Sequence, residues 1–220
     1  MMPRELATSA RRGIGAVSMR ALPQFALSLA TILLCAGVTA GADLESAQHA
    51  YQQEEYAAAL QDATALAEQG QAEAQVLVGR MYLTGRGVPK DPDTAFKWFK
   101  VAAVQGNADG AFLLGAMYLL PRSDIPEGLR WVRLAAEQGN QDAQLLLGQT
   151  YMEGLPGLPR DPVQGGMWLR LAAKDNLPFY AAQLAAAERV MGPEQRAQSK
   201  ALAAAWQPQP GLRREAPPSP

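Results

Sequence analysis

The sequence predicts an all-α fold, a right-handed solenoid of tandem helix–turn–helix repeats with a capping helix pair at each end. Three landmark residues recur in the same order at intervals close to 35 residues, a period typical of helical solenoids. Each tryptophan among them begins a six-residue phrase that ends in Ala-Ala, such as WFKVAA at residues 98–103. The landmarks are Gly79, Tyr82 and Trp98, then Gly115, Tyr118 and Trp131, and finally Gly148, Tyr151 and Trp168.

Residues 1–42 have the pattern of a secretory signal rather than of a folded element. Arginines precede an apolar run from Phe25 to Ala40, and the small residues Ala40-Gly41-Ala42 close it. The run is shorter than the roughly 20 apolar residues of a membrane span, so we expect cleavage after Ala42 and a periplasmic or secreted protein. The alternative left open is an inner-membrane anchor formed by an uncleaved signal.

Removing this signal changes which chemistry the chain can carry. It takes away four Arg, one Glu and the lone Cys35, so the formal charge falls from −1 to −4 and no disulfide is expected. Mild acidity argues against nucleic acid as a partner. The lone histidine, His49, is interpreted as a surface or packing residue. We therefore predict no metal, no cofactor and no enzymatic activity.

The chain divides into short units between the signal and the C terminus. Residues 43–70 lack the landmarks and read as an N-terminal capping helix pair, since terminal repeats must present a polar outer side. Residues 177–206 form the matching C-terminal pair. The tail at 207–220 holds five of the prolines and is predicted to be disordered. The three repeats between the caps are predicted at residues 71–106, 107–139 and 140–176.

Within each repeat, helix A is the helix that carries the glycine, and helix B is the one that carries the tryptophan. The glycine is expected where helix B packs too close for a Cβ atom, with the tryptophan ring filling the space around it. Asp91, Asp124 and Asp161 each precede a helix B as N-caps. Gly85-Arg86-Gly87 is read as the turn between two helices and not as a phosphate loop. Gly165 and Gly166 predict local looseness in the third repeat.

These residues resemble the Sel1-like repeat family, relatives of the tetratricopeptide repeats, with the pattern A-x-x-x-LG-x-x-Y, G-x-GV, W-x-x-x-AA. In the tetratricopeptide relatives, helix A lines a concave groove that binds peptides, and the resemblance implies the same here. It also implies a protein-interaction scaffold, with a protein or peptide segment as partner, and the signal pattern predicts that this scaffold acts in the cell envelope. Some cysteine-rich Sel1-like relatives act on β-lactams, which is the alternative function, but their cysteine pairs are absent after Ala42.

A second face of helix A is the candidate binding surface. At about 100° per residue, it is expected to point away from helix B. Two interpretations remain open for its apolar members, packing between repeats or a ligand groove, and its acids favour basic or neutral segments. The candidate residues are Glu73, Val76, Arg80, Leu83, Asp109, Phe112, Leu119, Asp142, Leu145, Gln149 and Met152.

A basic row, Lys100, Arg133 and Arg170, recurs at one position of the three helices B. Solvation of an exposed face is the simplest interpretation of these charges. Binding of a partner is the alternative.

Overall fold

The computed structural model describes residues 43–120 and 124–212, and the predicted signal at 1–42 lies outside them. This part of the chain is all-α, as predicted, and its only bridge pairs Leu155 with Leu158 in a loop. No helix in it is long and apolar enough to cross a bilayer. The helices are α1 Leu44–Gln52, α2 Tyr56–Glu68, α3 Ala72–Thr84, α4 Pro92–Val104, α5 Ala108–Leu119, α6 Ile125–Glu137, α7 Gln141–Glu153, α8 Pro162–Ala172, α9 Pro178–Val190 and α10 Pro193–Ala205.

The helices stack as consecutive hairpins. Each helix from α1 to α8 packs on the next one along the chain, and the three repeat hairpins α3/α4, α5/α6 and α7/α8 have the most extensive contacts. The helices A are α3, α5 and α7, and the helices B are α4, α6 and α8. The main hydrophobic cluster runs from α4 to α8, and a second one joins α1 and α2 to α3. The described residues therefore form a solenoid with a nearly continuous core.

The helix A glycines allow close packing of the two helices, as predicted, but the contacting residue differs from the prediction. A Cβ on Gly79 would lie 2.5 Å from the Phe99 ring, and one on Gly148 would lie 2.7 Å from Leu169 Cγ. In each hairpin the residue that follows the tryptophan faces the glycine. Each tryptophan precedes that residue and therefore points about 100° away from it around helix B. Trp131 and Trp168 are buried, and Trp98 is half-buried.

Aspartate caps begin the three helices B. Asp91 accepts hydrogen bonds from the backbone N–H groups of Asp93 and Thr94, and Asp124 and Asp161 cap α6 and α8 in the same way. Asparagine caps that sequence analysis missed begin two helices A, where Asn107 and Asn140 accept from the N–H groups of Gly110 and Ala143. These caps satisfy backbone donors that the first turn of a helix leaves unpaired.

Replacing Asp91 with Asn should remove a pH dependence of stability. The Thr94 hydroxyl donates to Asp91 at 2.6 Å and, with the Thr94 N–H, holds the Asp91 pKa below its ordinary value of 3.8. A lowered folded-state pKa stabilises the protein above the unfolded-state pKa, and this stabilisation is lost as pH falls through the folded-state value. We expect denaturation midpoints of the two proteins to differ above about pH 4 and to converge below it. A difference in midpoint that does not change with pH would show that the lowered pKa of Asp91 is not its cause.

Two helices lie within the residues expected to form the C-terminal capping pair, but they do not pack on each other as a hairpin. α9 and α10 both pack on α8, and α10 lies against α8 rather than against α9. Gly166 permits this arrangement, because a Cβ there would lie 2.7 Å from Met191 Cε and 3.1 Å from Ser199 Cβ. A Cβ on Gly165 would lie 2.8 Å from Met152. The two glycines thus mark close contacts on two sides of α8, and the predicted looseness is wrong.

The beginning of the predicted disordered tail is packed on the solenoid. Trp206 meets Trp168 edge to face, with ring centroids 6.2 Å apart. Beyond it, the Gln209 N–H donates to the Glu137 carbonyl, and Gln138 Nε2 donates to the Leu212 carbonyl at 3.1 Å. Aromatic packing and backbone hydrogen bonds hold residues 206–212 despite their proline content. Residues 213–220 lie outside the described part.

Candidate functional site

The candidate surface differs between its two ends, and its polar residues mainly link successive repeats. Asn107 Nδ2 donates to Glu73 at 3.3 Å, and Asn140 Nδ2 donates to Asp109 at 2.6 Å. Each acid therefore accepts a hydrogen bond from the asparagine that caps the next helix A. This repeated bond fixes the spacing between neighbouring helices A.

The third acid is held by the next helix in a similar way. The Tyr180 hydroxyl of α9 donates to Asp142 at 2.5 Å, and this bond raises the pKa of Tyr180 to about 12. The phenol thus stays protonated and keeps donating at neutral pH. Gln149 Nε2 also donates to Gln183 of α9 at 3.1 Å.

At the C-terminal end of the surface, Leu145 is packed, whereas half-buried Met152 lines a depression of about 250 Å³. Leu145 is buried in a cluster with Leu169 and Ala187. Met152 and Leu184 pack against the same cluster. In the third repeat, Leu145 is therefore a packing residue between α7, α8 and α9.

Leu119 and Met152 also contact helix B, contrary to the orientation expected from the helical wheel. A Cβ on Gly128 would lie 2.7 Å from Leu119 Cγ, and the equivalent atom on Gly165 would lie 2.8 Å from Met152 Sδ. Leu119 comes one turn after Gly115, so only about 40° separates the two around the helix. Because Gly115 faces helix B, Leu119 must face it too. Leu83, at the same position of the first repeat, and Phe112 are half-buried against the main cluster.

The N-terminal end of the surface is a groove of about 250 Å³ between α1, α3 and α5. We call it the N-terminal groove. Val76 and Leu77 are buried beneath it, and Arg80 lies on its rim with its guanidinium 3.9 Å from the Asp109 carboxylate. The groove is lined by Gln48, Tyr51, Gln52, Glu73, Val76, Leu77, Arg80, Asn107 and Asp109.

One wall of this groove comes from α1, which sequence analysis treated only as a cap. Arg86 fixes that wall, because its guanidinium donates to the Tyr51 hydroxyl at 2.6 Å and lies over the rings of Tyr51 and Tyr56. Residues 85–87 therefore tie the first repeat to the cap, while Gly85 and Gly87 adopt the left-handed backbone that the turn requires. The Gln-Gly-Asn phrase that precedes α5 and α7 was the available signal for Asn107. Nothing in the landmark pattern pointed to Gln48, Tyr51 or Gln52.

The groove offers binding groups rather than reactive ones. Its polar members are amides, a phenol, two carboxylates and one guanidinium, which suit hydrogen bonding to a polypeptide. His49 is exposed on α1 and is not one of the residues that line it. Within residues 43–120 and 124–212, no three His, Cys, Asp or Glu side chains gather as they would around a metal ion.

Comparison with known proteins identifies the repeats. The model of the Sel1 repeat matches three consecutive segments, residues 72–107, 108–140 and 141–177. A crystal structure of a Sel1 repeat protein from Oxalobacter formigenes is 26% identical, with a TM-score of 0.60 over 73% of this chain and 67% of that one. A protective antigen of uropathogenic Escherichia coli strains, which displays an SLR fold, is 27% identical with a TM-score of 0.59 over 74% of this chain.

The chain spans only 38% of the length of that antigen. The search of curated proteins finds no significant match.

Proposed function

Residues 72–177 of this chain belong to the Sel1 repeat family, and from that premise we propose a non-catalytic scaffold that binds a segment of another protein in the N-terminal groove. Sel1 repeat proteins generally mediate protein–protein interaction. The observation that carries the proposal is the groove itself, which three helices line with hydrogen-bonding side chains over buried Val76 and Leu77.

The lining residues favour a particular kind of segment. Gln48, Gln52 and Asn107 offer carboxamides, which can donate to and accept from a peptide backbone. Glu73 lies at the edge and favours a basic side chain of the segment, whereas Arg80 is the one cation among the lining residues. An extended segment of neutral or basic character fits this arrangement best.

The bacterial-type cell envelope is the proposed location. The charged, apolar and small-residue order of residues 1–42 supports export. The absence of cysteine after Cys35 also suits an exported protein whose stability depends on helix packing rather than disulfides. An uncleaved signal that anchors the chain in the inner membrane is the alternative.

Site-specific photocrosslinking tests the groove. A photoreactive amino acid at exposed Gln48 or Gln52 should capture the same protein in cells, and one at exposed Gln198 of α10 should not. Adding Arg80→Glu to the Gln48 variant should raise the adduct about fivefold, because it replaces the one cation of the groove with a carboxylate that attracts a basic segment. The helical circular dichroism should stay unchanged, because the exposed Arg80–Asp109 pair contributes at most about 1 kcal/mol.

Two results would count against the groove as the binding site. One is an equal adduct from Gln198, which would indicate non-specific capture. The other is an adduct at Gln48 that is unaffected by the charge reversal at Arg80.

A further inference from the structure

The same four positions recur on one face of each helix B. We call this face of α4 and α6, the helices B of the first two repeats, the outer stripe. The spacing of i, i+3, i+4 and i+7 places each set on one face of its helix. In α4 and α6 this face combines four basic side chains with apolar ones. The outer stripe consists of Lys97, Lys100, Val101 and Val104 of α4, and of Arg130, Arg133, Leu134 and Glu137 of α6.

In the third repeat, the chain covers these positions with its own helix. Met167 and Leu171 of α8 are 7% and 8% exposed, and α10 packs along α8. Arg170 Nε donates to the Ser199 hydroxyl of α10 at 3.2 Å, and its guanidinium is 2.5 Å from the Glu188 carboxylate of α9. A helix docked on this face thus meets apolar residues and small side chains, while a carboxylate neutralises the arginine.

The same positions are more exposed in the first two repeats. Val101 and Val104 are 46% and 54% exposed on α4, whereas Leu171, the equivalent of Val101, is buried. On α6, Arg130 and Arg133 are exposed, and Leu134 is half-buried against the main cluster. On α6, the four stripe residues line a depression of about 260 Å³. The Arg133 side chain is held at this depression, because it donates a hydrogen bond to the Tyr151 hydroxyl of α7 at 2.5 Å.

The charge of the stripe selects the occupant. Lys97, Lys100, Arg130 and Arg133 are four cations, and Asp93 and Glu137 are carboxylates at its two ends. Arg130 is already paired with Glu127 of its own helix at 3.5 Å. The rest of the exported chain is acidic, so the basic stripe is a local reversal of the overall charge. Complementary charge speeds association and excludes partners of the same sign.

We propose that the outer stripe binds an acidic amphipathic helix of another protein, which lies on α4 and α6 as α10 lies on α8. Its carboxylates pair with Lys97 and Lys100, as Glu188 pairs with Arg170. Its small apolar residues cover Val101 and Val104. This surface is separate from the N-terminal groove, so the two bind independently.

The probe is a peptide copy of α10, residues 193–206, with R196E and K200E, and with Q198K so that the new amine closes an i,i+4 lactam with the Glu194 carboxylate and holds the peptide helical. Its affinity for the purified chain is measured by fluorescence anisotropy at low salt, where exposed charges are least screened. We expect K97E/K100E to weaken binding at least about tenfold. The matched control, K90E/R189E, changes the charge equally at exposed sites away from the stripe and should alter binding less than about twofold.

Three results of the peptide experiment would overturn the proposal. The acidic peptide does not bind, or the unmodified α10 peptide with the same lactam binds as tightly, or the control variant loses as much affinity as K97E/K100E. Analytical ultracentrifugation of the chain alone tests the other possible occupant, a second copy of the chain. Self-association that V104E abolishes would assign the stripe to a second copy of this chain and would also overturn it.

Discussion

Replacing Phe99 with alanine is expected to lower the free energy of unfolding by about 4 kcal/mol. Phe99 is the largest fully buried side chain of the described residues. Its ring fills the space beside Gly79, which has no side chain to occupy the cavity that the substitution would leave. A cavity of this kind costs the lost transfer energy and the lost packing together. Urea denaturation followed by circular dichroism measures the difference.

The position of Phe99 also predicts how the variant unfolds. Phe99 belongs to the main cluster, while Gly79 lies in α3 between Val78 and Met81, which belong to the second cluster formed by α1, α2 and α3. In a repeat protein, weakening one interface separates the units on either side. Hydrogen exchange should therefore show α1–α3 losing protection before α5–α8.

Val104→Ala on the same helix is the control for Phe99→Ala. Val104 is 54% exposed, so its truncation should change the stability by less than about 0.5 kcal/mol. Equal effects of the two substitutions would show that the Phe99 ring is not part of the core. Phe99→Leu, which reproduces the residue type of Leu169 in the third repeat, should give an intermediate loss.

The fold was predictable because its signals are local and repeated. Glycine, tyrosine and tryptophan recur at a fixed period, and the aspartate caps stand beside helix-starting prolines in two repeats. Each signal depends on a few neighbouring residues, so spacing alone recovers the hairpins. The packing of α10 on α8 was not predictable in this way. It depends on Gly166 meeting Ser199, which is a contact between distant residues with no period.

The candidate surface was predicted only in part for a related reason. The helical wheel was centred on apolar side chains, and it placed Leu119 on the face away from helix B. The contact with helix B is centred on Gly115, which was expected to face helix B but was not used to orient the wheel. The N-terminal groove also needs α1, whose Tyr51 is held by Arg86 from 35 residues away. Such a tertiary contact has no counterpart in the landmark pattern.

Gly115→Val is expected to be the second most damaging substitution, with a loss of about 3 kcal/mol. The added Cβ would lie 2.8 Å from Val132 Cγ2, 2.9 Å from Val132 N and 3.0 Å from the Gly128 carbonyl oxygen. Two of these three atoms are backbone and cannot rotate away. The helices α5 and α6 must therefore move apart. Thermal and urea denaturation measure the loss, with Ala116→Val, one residue along α5, as the control for β-branching.

The backbone contacts at Gly115 further predict that trimming the facing side chain will rescue little. Gly115→Ala combined with Val132→Ala still leaves the Cβ against Val132 N and the Gly128 oxygen. At Gly79, by contrast, the three nearest atoms all belong to the Phe99 ring, so Phe99→Leu should relieve much of the penalty of Gly79→Ala. Double-mutant cycles at the two positions should thus give a large coupling at Gly79 and a small one at Gly115. Equal couplings would mean that side chains alone set the distance between helices A and B.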